Sequence, residues 1–403
     1  MTVSNETQTA HGWDEPSTLT VDEILRRIDD ITPLIRDRAD EMEKRQHFTP
    51  DVLDALTSTG VFSMGFPKEW GGPEIRIDDQ IRILEAIARA DGSVGFAVNI
   101  MADSGLYAGR LSKEVAREIY PSMDMSTAGS FNPPGRADVV ENGYRLSGRW
   151  RFGTGNVDAD VILGRFRRYV DGEPQIDENG DPDLIVAWFP NQGITRHENW
   201  VTTGMAATGS CDYEISDVEI PQGHSYRFAD QFYASPNVPP LSRHYGTLTG
   251  NQVGVILGVT RHALDLMYAH LEKAKTKWGA SVKESSYIQI KVAKIDGQYQ
   301  AARAYALTTF GDITDSVMAG EDLTTQQQAD MQTAPVLAAE MCLEAVNSIL
   351  DLVGATATLK SLPYDRVWRD LTSAIRHFYY REVHLELPGM HLLGVPVDMS
   401  KSD

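Results

Sequence analysis

The residues best suited to chemistry in the middle of the chain are 150–155, which read WRFGTG. Alternation along a strand places the rings of Trp150 and Phe152 on one face and the side chains of Arg149 and Arg151 on the other. Glycines on both sides of Thr154 predict a turn that fixes its hydroxyl group, which can both donate and accept a hydrogen bond. As bare residues, the rings are typical of a core and Thr154 of an ordinary turn, so their chemistry depends on the rest of the chain.

A histidine near the end of the chain is the second candidate. His377 follows Asp370 by seven residues in a stretch with helical periodicity, which predicts one shared helical face and a separation of about 10 Å along the axis. The near-neutral pKa of an imidazole suits it to move a proton. His384 and His391 continue the spacing, but Pro388 interrupts the helix and no carboxylate triad accompanies them, so no metal site is predicted.

Three kinds of segment must position these residues. A polar leader, 1–18, is predicted to be disordered, and helical periodicity then continues to about residue 120. Between 125 and 235 the chain instead shows short β-branched and aromatic runs among glycines and prolines. The clearest predicted strands are 144–152, 161–170, 184–190 and 213–221.

Helical periodicity returns after the strands. Four long segments, which predict a helical bundle, cover 241–274, 285–320, 325–354 and 364–383. In the first of them Gly250, Gly254 and Gly258 recur on one face, which predicts close packing of another backbone. The expected domains are a helical domain at 19–122, a β domain at 123–236 and a helical bundle at 237–403.

Composition limits the partners of the protein. The 403 residues carry 37 Lys and Arg against 57 Asp and Glu, a formal net charge of −20, which repels nucleic acids and anionic membrane surfaces. Cys211 and Cys342 are too few and too far apart for a disulfide framework or a zinc module. No secretory signal and no long apolar run is found. We therefore expect a cytoplasmic protein that binds neither nucleic acid nor membranes.

Five short motifs occur in an order and spacing that resemble the acyl-CoA dehydrogenase superfamily. They are PKEWGGP at 67–73, ADGS at 90–93, GYRLSGRWRF at 143–152, TGS at 208–210 with DVEIP at 217–221, and RVWRD at 366–370. The resemblance implies a mainly α fold with a central β domain: an N-terminal helical domain, a β-barrel-like middle domain and a C-terminal four-helix bundle. It also implies a flavin between the last two domains, and a homotetramer.

The superfamily includes two chemistries. In the dehydrogenases a Glu eight residues after the Asp of the RD pair removes a proton from the acyl-CoA, whereas the matching residue here is Phe378. Glu382 and Glu386 lie one or two helical turns later. An acyl-CoA dehydrogenase with a relocated base is therefore the alternative hypothesis.

The second chemistry belongs to the reduced-flavin-dependent monooxygenases, which include the oxygenase component of p-hydroxyphenylacetate hydroxylase, dibenzothiophene monooxygenase and the nitrososynthases. Their pattern is similar to residues 150–155 and to His377 of this chain. The resemblance implies the oxygenase component of a two-component system, in which reduced FMN or FAD and O2 form a C4a-hydroperoxyflavin that oxygenates C, N or S of a small organic substrate. The resemblance also implies a separate NAD(P)H-dependent flavin reductase as the partner, and the lack of a visible nicotinamide motif agrees with this.

The resemblance also assigns roles to residues. Thr154 would keep the flavin N5–H hydrogen-bonded, and His377 would handle the substrate proton or steady the peroxide, so these two are the predicted catalytic residues. Cofactor binding is assigned to Trp150, Phe152, Thr154, Phe131, Asn132, Ser210, Arg369 and Lys275. Substrate binding is assigned to Asn99, Asp103, Trp70 and His244. For Arg369, a salt-linked helix start is the alternative interpretation.

Two departures from the pattern affect the cofactor and the substrate. Lys275 replaces the Arg that reaches the FAD pyrophosphate in the dehydrogenases; it keeps the charge without the bidentate fork, which leaves FMN open. The His that several monooxygenases carry after the DGS motif is missing from 98–104, VNIMADS. Phenol hydroxylation is therefore in doubt, and an amine or another nucleophilic substrate stays open.

Overall fold

The computed structural model describes residues 12–232, 238–243 and 250–396. Helices come first in this part of the chain: α1 Val21–Arg45, α2 Pro50–Thr59, α3 Ile77–Ala90, α4 Gly92–Met101, α5 Ser104–Ala108 and α6 Lys113–Ile119. The helix ends follow local chemistry. Thr20 caps α1 by accepting the N–H of Glu23 at 3.2 Å, and Gly60 ends α2 in the left-handed conformation.

A single sheet follows the helices. Its strands are β1 Thr127–Val140, β2 Gly143–Trp150, β3 Val161–Val170, β4 Glu173–Pro174, β5 Leu184–Phe189, β6 Thr195–Arg196, β7 Tyr213–Pro221 and β8 Ser225–Arg227. The hydrogen-bonded order is β6-β7-β2-β1-β3-β5-β8, with β4 beside β3. Neighbouring strands are antiparallel except β1 and β3, which are parallel. All four predicted strands are confirmed within two residues at their ends.

Strand β1 was not predicted, because Pro133, Pro134 and Gly135 interrupt its β pattern. The sheet tolerates them through a register shift between Ser130 and Gly135, opposite β3. The strand therefore continues on both sides of a bulge. Local sequence propensity predicts a break at the same place.

The C-terminal part consists of helices α7 Val253–Lys273, α8 Ser286–Met318, α9 Thr325–Val353, α10 Tyr364–Ala374 and α11 Glu386–Leu392. The first four lie within the predicted bundle segments, but α10 ends nine residues before the predicted end at Val383. Two 3-10 turns, Phe378–Tyr380 and Glu382–Leu385, replace its last part. The reason is tertiary: Tyr380 is buried and its hydroxyl group donates to the Gln252 carbonyl at 2.8 Å.

Close packing by glycine is confirmed where α7 crosses α3. A Cβ atom at Gly254 would overlap the carbonyl oxygen of Ile81, and one at Gly258 would overlap that of Glu85. The two helix backbones are therefore in direct contact, which no larger side chain permits.

Helix α3 links the two large hydrophobic cores. Ile83 and Ile87 belong to the core that joins the N-terminal helices to the sheet. Ile77 and Ile81 belong to the core of the helical bundle. The predicted mainly α architecture with a central sheet and a bundle is confirmed, whereas the exact domain boundaries stay a prediction. In the described part of the chain, no helix is long and apolar enough to cross a membrane.

Candidate active site

The Thr154 turn follows directly after strand β2. Phe152 and Gly155 both have positive φ angles, of 56° and 75°, and the Gly155 N–H donates to the Thr208 carbonyl at 2.8 Å. A Cβ at Gly155 would lie 2.7 Å from Cγ of Met101, at the end of α4. The turn is thus held between the segment before β7 and the N-terminal helices, which fixes the half-buried Thr154 side chain.

A chain of three hydroxyl groups starts at Thr154. Its Oγ1 lies 3.0 Å from Ser210 Oγ, which lies 2.6 Å from Thr208 Oγ1. Thr208 Oγ1 in turn reaches the Met205 carbonyl at 2.8 Å. Each hydroxyl has one proton, so the direction of the chain decides what Thr154 offers. Ser210 Oγ donates to Thr154 Oγ1, so the Thr154 hydroxyl group keeps a second acceptor site and its own proton.

Helix α10 anchors the far end of this chain. Met205 is a non-glycine residue in the left-handed conformation, φ 56° and ψ 32°. Its N–H donates to Asp370 Oδ1 at 2.7 Å, and its carbonyl accepts from Trp200 Nε1 at 3.1 Å. Arg369 donates to the Thr203 carbonyl at 2.6 Å. The backbone at 203–205 is therefore fixed to the RD pair of α10.

Asp370 is a completely buried carboxyl group next to a second one. Burial and the nearby charge of Asp91 raise the pKa of Asp370, and burial also raises the pKa of Asp91, which caps α4. Arg366 is close enough to Asp91 to favour its ionised form. The pair is therefore placed to hold a proton at neutral pH, with Asp370 the more protonated of the two.

A cavity of about 310 Å³ lies against this acid pair. Ionisable residues from several elements line it, and the ion-paired ones are Asp40, Asp365, Arg366 and Arg369, beside Arg36, Asp91, His262, Lys360 and Asp370. Arg366 is held by Asp40 and by Glu43, the latter at 2.9 Å. Because these charges pair with one another, the cavity is a salt-linked junction of α1, α7 and α10 and is distinct from the Thr154 turn.

His377 lies beyond the end of α10, which corrects the predicted helical position. Its Nδ1 accepts the Tyr379 N–H at 3.4 Å, capping the 3-10 turn, and its ring meets Phe96 of α4 edge to face at 5.8 Å. Solvent reaches the residue, yet the surrounding protein partly desolvates the ring and lowers its pKa to about 4. Both observations fit a residue that lines a concave space. His377 is therefore neutral at pH 7, and its Nε2–H is a donor.

The predicted common face of Trp150 and Phe152 is wrong. Trp150 is the last residue of β2 and is completely buried, stacked between Phe189 at 5.9 Å and Tyr213 at 5.2 Å. The positive φ of Phe152 turns the chain out of the strand, so that its ring is 60% exposed. Trp150 is a core residue, and Phe152 with its neighbour Trp200, 6.2 Å away, is the aromatic surface beside Thr154.

The other predicted cofactor residues fall into two groups. Ser210 is joined to Thr154 by the hydroxyl chain. Within the part of the chain that the structure describes, no hydrogen bond joins the hydroxyl chain to Phe131, Asn132, Lys275 or Arg369. Arg165 donates to the Phe131 carbonyl and to the Asn132 side chain, and Lys275 lies in an exposed hairpin between α7 and α8.

Arg369 follows the salt-linked interpretation. It donates to Asp365 and to Glu43, each at 2.9 Å, besides the Thr203 carbonyl. The carboxylates of Asp365 and Glu43 therefore neutralise the positive charge of Arg369 within the subunit. A direct role in flavin binding is not supported by this geometry.

The predicted substrate residues separate in the same way. Asn99 and Asp103 are buried on one face of α4 and its extension, and Phe96 on that face contacts His377. Trp70 instead stacks on Trp13 at 5.6 Å inside a small core, which corrects its assignment to substrate. His244 lies outside the described residues.

Two polar residues near the start of α7 were missed. Asn251 donates to Asp103 Oδ1 at 3.1 Å and to Gln80 Oε1 at 2.9 Å, and Gln252 is buried beside Tyr380. The signal was an NQ pair inside the otherwise apolar run GNQVGVILG at 250–258. Adjacent buried amides in such a run indicate a polar site rather than core packing.

The arrangement fits a planar cofactor with an N–H at its edge. The half-buried Thr154 hydroxyl can accept a hydrogen bond, and an exposed aromatic ring stands beside it at Phe152. Met101 and Phe96 connect this turn and His377 to the same helix, α4. Both candidate catalytic residues therefore lie next to helix α4.

Comparison with known proteins gives the same picture. Residues 31–119 match the acyl-CoA dehydrogenase N-terminal domain and residues 251–382 the C-terminal domain. An indole-3-acetate monooxygenase of Acinetobacter baumannii is 26% identical over 91% of this chain and 94% of its own length. The oxygenase subunit HsaA of a flavin-dependent monooxygenase from Rhodococcus jostii is 24% identical over 86% and 91%. The solved structure of XiaF from Streptomyces, in complex with FADH2 and glycerol, is 22% identical with a TM-score of 0.85 over 93% of this chain and 96% of its own.

Proposed function

The chain belongs to the acyl-CoA dehydrogenase family, and we propose that it is the oxygenase component of a two-component flavin monooxygenase. The protein would use reduced FMN or FAD and O2 to oxygenate a small organic substrate. Relatives that cover nearly the whole chain carry monooxygenase names, which supports this branch of the family. The observation that carries the proposal is the hydroxyl chain that ends at Thr154 beside an exposed aromatic ring.

The residues of the chain have distinct tasks in this reaction. Bound reduced flavin supplies the electrons that activate O2. Thr154 would accept the hydrogen bond of the flavin N–H at the acceptor site that remains beside the hydrogen bond from Ser210. Holding that proton in place and excluding water keeps the oxygen available for the substrate instead of releasing it as hydrogen peroxide.

His377 acts as a neutral hydrogen-bond donor in this proposal. Its Nδ1 is occupied by the Tyr379 N–H, so Nε2 carries the proton and can donate to an oxygen atom at the reaction centre. A pKa of about 4 makes it a weak base at pH 7. Its task is therefore to orient and stabilise, not to remove a substrate proton.

The dehydrogenase alternative is disfavoured by the positions of the carboxylates. Glu382 and Glu386, which could have been relocated bases, are exposed on the surface after His377. Asp370 is buried and engaged with Met205. None of these three has the free, inward-facing carboxylate that proton removal from an acyl-CoA requires.

The partners are part of the same proposal. An NAD(P)H-dependent flavin reductase would supply the reduced flavin, in keeping with the oxygenase subunit named among the relatives. A homotetramer is the expected assembly. The mass of the protein, measured by size-exclusion chromatography, tests the assembly independently of activity. A mass of four subunits is expected.

Rapid mixing of reduced flavin and protein with oxygen tests the function. We expect the protein to slow the return to oxidised flavin by at least about tenfold relative to free flavin, and to incorporate oxygen from labelled O2 into a substrate. Reduction of bound flavin by an acyl-CoA, with no change in the rate of reoxidation by oxygen, would establish the alternative function.

A further inference from the structure

Three buried amide side chains in one region have polar atoms with no hydrogen-bond partner. These atoms are Asn99 Oδ1, Asn251 Oδ1 and Gln252 Nε2, and the residues are 2%, 0% and 2% exposed. An unsatisfied buried polar group costs about 1–3 kcal/mol, so native proteins retain few of them without a reason. Three together indicate groups that are satisfied only when a ligand is present.

The three amides lie where α4 and the segment leading into α7 pack together. The two helices run antiparallel: a Cβ at Gly92 would meet Val259, and at the other end Asp103 accepts from Asn251. Asn99 lies between these two contacts, on the α4 face that also carries Asp103. Asn99 and Asn251 therefore lie on the facing sides of α4 and α7 and border the same interhelical space.

The same space adjoins His377. Phe96 lies one turn before Asn99 on α4 and contacts the His377 ring at 5.8 Å. On the α7 side, the Gln252 carbonyl accepts from the Tyr380 hydroxyl, three residues after His377. A molecule bound to the amides would thus be within reach of the proposed catalytic histidine.

Asp103 completes the polar set as an uncharged group. It is buried, it accepts a single hydrogen bond from Asn251, and desolvation raises its pKa well above the usual range. A protonated carboxyl group is both a donor and an acceptor. None of the four residues, Asn99, Asp103, Asn251 and Gln252, carries a positive charge to pair with an anion.

We propose that these four residues recognise the substrate, and that the substrate is a neutral molecule with an N–H or O–H donor beside a hydrogen-bond acceptor. The donor satisfies the amide oxygens of Asn99 or Asn251, and the acceptor satisfies Gln252 Nε2. A carboxylate is disfavoured, because it would face two amide oxygens and no positively charged side chain among these residues. The inference rests on the proposed function. It predicts that this chain does not prefer an arylacetate, the kind of substrate that the name of its indole-3-acetate monooxygenase relative gives.

Binding to the full-length protein tests the inference without any turnover. The probes are indole, which has an N–H donor, benzothiophene, which has the same shape without the donor, and indole-3-acetate, which adds a carboxylate. Isothermal titration is expected to show indole binding about tenfold more tightly than either of the others, the effect of satisfying one buried polar group. Equal affinity for indole and benzothiophene, or tighter binding of indole-3-acetate, would overturn the proposal.

Variants assign the selectivity to the amides. In Asn99→Leu the affinities for indole and benzothiophene should become equal, whereas Asp103→Asn, which keeps a neutral donor and acceptor, should retain the preference for indole. Asn347→Leu, on the exposed side of α9, is the control for loss of an asparagine and should bind all three probes like the parent. If Asn99→Leu keeps the full preference for indole, the recognition lies elsewhere and the proposal is wrong.

Reoxidation of reduced flavin is measured separately with the same proteins. A parent protein that prefers indole but does not slow reoxidation would refute the proposed function and leave the recognition inference standing. A protein that slows reoxidation but binds the probes without preference would refute the inference alone.

Discussion

The central residue of the candidate site is Thr154, and the hydrogen bonds of its hydroxyl group to neighbouring residues determine what it can bind. Ser210 and Thr208 continue its hydrogen bonds to the Met205 carbonyl. An isolated turn threonine would exchange its partners with water. In this chain the Thr154 hydroxyl group is hydrogen-bonded to the buried Ser210, which fixes its orientation. A fixed orientation is what holding one proton of a cofactor requires.

Replacing Thr154 separates the hydroxyl from the shape of the side chain. Thr154→Val keeps the volume and removes the hydrogen bond, so we expect reoxidation of bound reduced flavin to accelerate by about tenfold or more, the effect of a hydrogen bond worth about 1.4 kcal/mol. Hydrogen peroxide should rise at the expense of product. Thr154→Ser keeps the hydroxyl and is expected to stay close to the parent; the two variants behaving alike would show that the hydroxyl has no role.

His377 should affect the stability of the protein in acid. Because its folded pKa, about 4, is below that of an exposed histidine, the unfolded state binds the proton more tightly. Stability is therefore lost as the pH falls from about 6.5 toward 4. We expect His377→Gln to flatten this part of the melting-temperature profile, while His391→Gln, on α11, controls for the loss of an imidazole. An unchanged profile in His377→Gln would mean that His377 is not desolvated.

At the scale of elements, the decisive feature is the contact of α3 with α7. Gly254 and Gly258 bring the two backbones together, and this contact fixes α7 relative to the N-terminal helices. Because Asn251 and Gln252 lie just before α7, their position opposite α4 depends on the same crossing. The glycine spacing is therefore part of how the site is assembled.

A glycine-to-alanine pair tests this contact. Gly258→Ala should destabilise the fold by about 1–3 kcal/mol, since the new methyl group overlaps the Glu85 carbonyl. Gly297, within α8, has nothing within 4 Å of a new Cβ. Gly297→Ala should therefore stabilise the protein by about 0.5–1 kcal/mol, the usual helix effect. Urea unfolding measures both, and stabilisation of both variants would contradict the close contact.

At the scale of the whole molecule, α10 connects the N-terminal helices, the segment before β7 and the bundle. Arg366 and Arg369 pair with Glu43 of α1, while Asp370 holds Met205. The buried Asp91 and Asp370 pair lies at this junction. Its proton therefore contributes to the stability of the entire subunit.

This junction predicts a stability that depends on pH. Since the folded pKa of Asp370 is raised, the native state holds the proton that the unfolded state loses, and stability falls as the pH rises above the unfolded pKa of about 3.9 toward the folded one. Asp370→Asn keeps an acceptor for the Met205 N–H and cannot ionise. We expect its melting temperature to exceed that of the parent at pH 8 and to depend less on pH, whereas Asp370→Leu should be destabilised at every pH. If the melting temperatures of the parent and of Asp370→Asn change in parallel with pH, the buried proton does not contribute to stability and the prediction is wrong.

Local patterns were sufficient for much of the architecture. The predicted strands at 144–152, 161–170, 184–190 and 213–221 agree with β2, β3, β5 and β7, because alternation depends on neighbours one or two residues apart. The glycine spacing in α7 also predicted its packing. By contrast, β1 was missed at its prolines and α10 was made too long, since a bulge against β3 and the burial of Tyr380 are long-range effects.

The sequence by itself determined the fold class, the family and two of the groups on which the site depends, Thr154 and His377. Only the tertiary structure decided that Trp150 is core while Phe152 is exposed, that the pKa of His377 is lowered, and that Asn251 donates to Asp103. The physical reason is that element type depends on residues close in the chain. Burial, pKa and the partners of a buried amide depend on residues far away in it, and these are known only when the helices are packed.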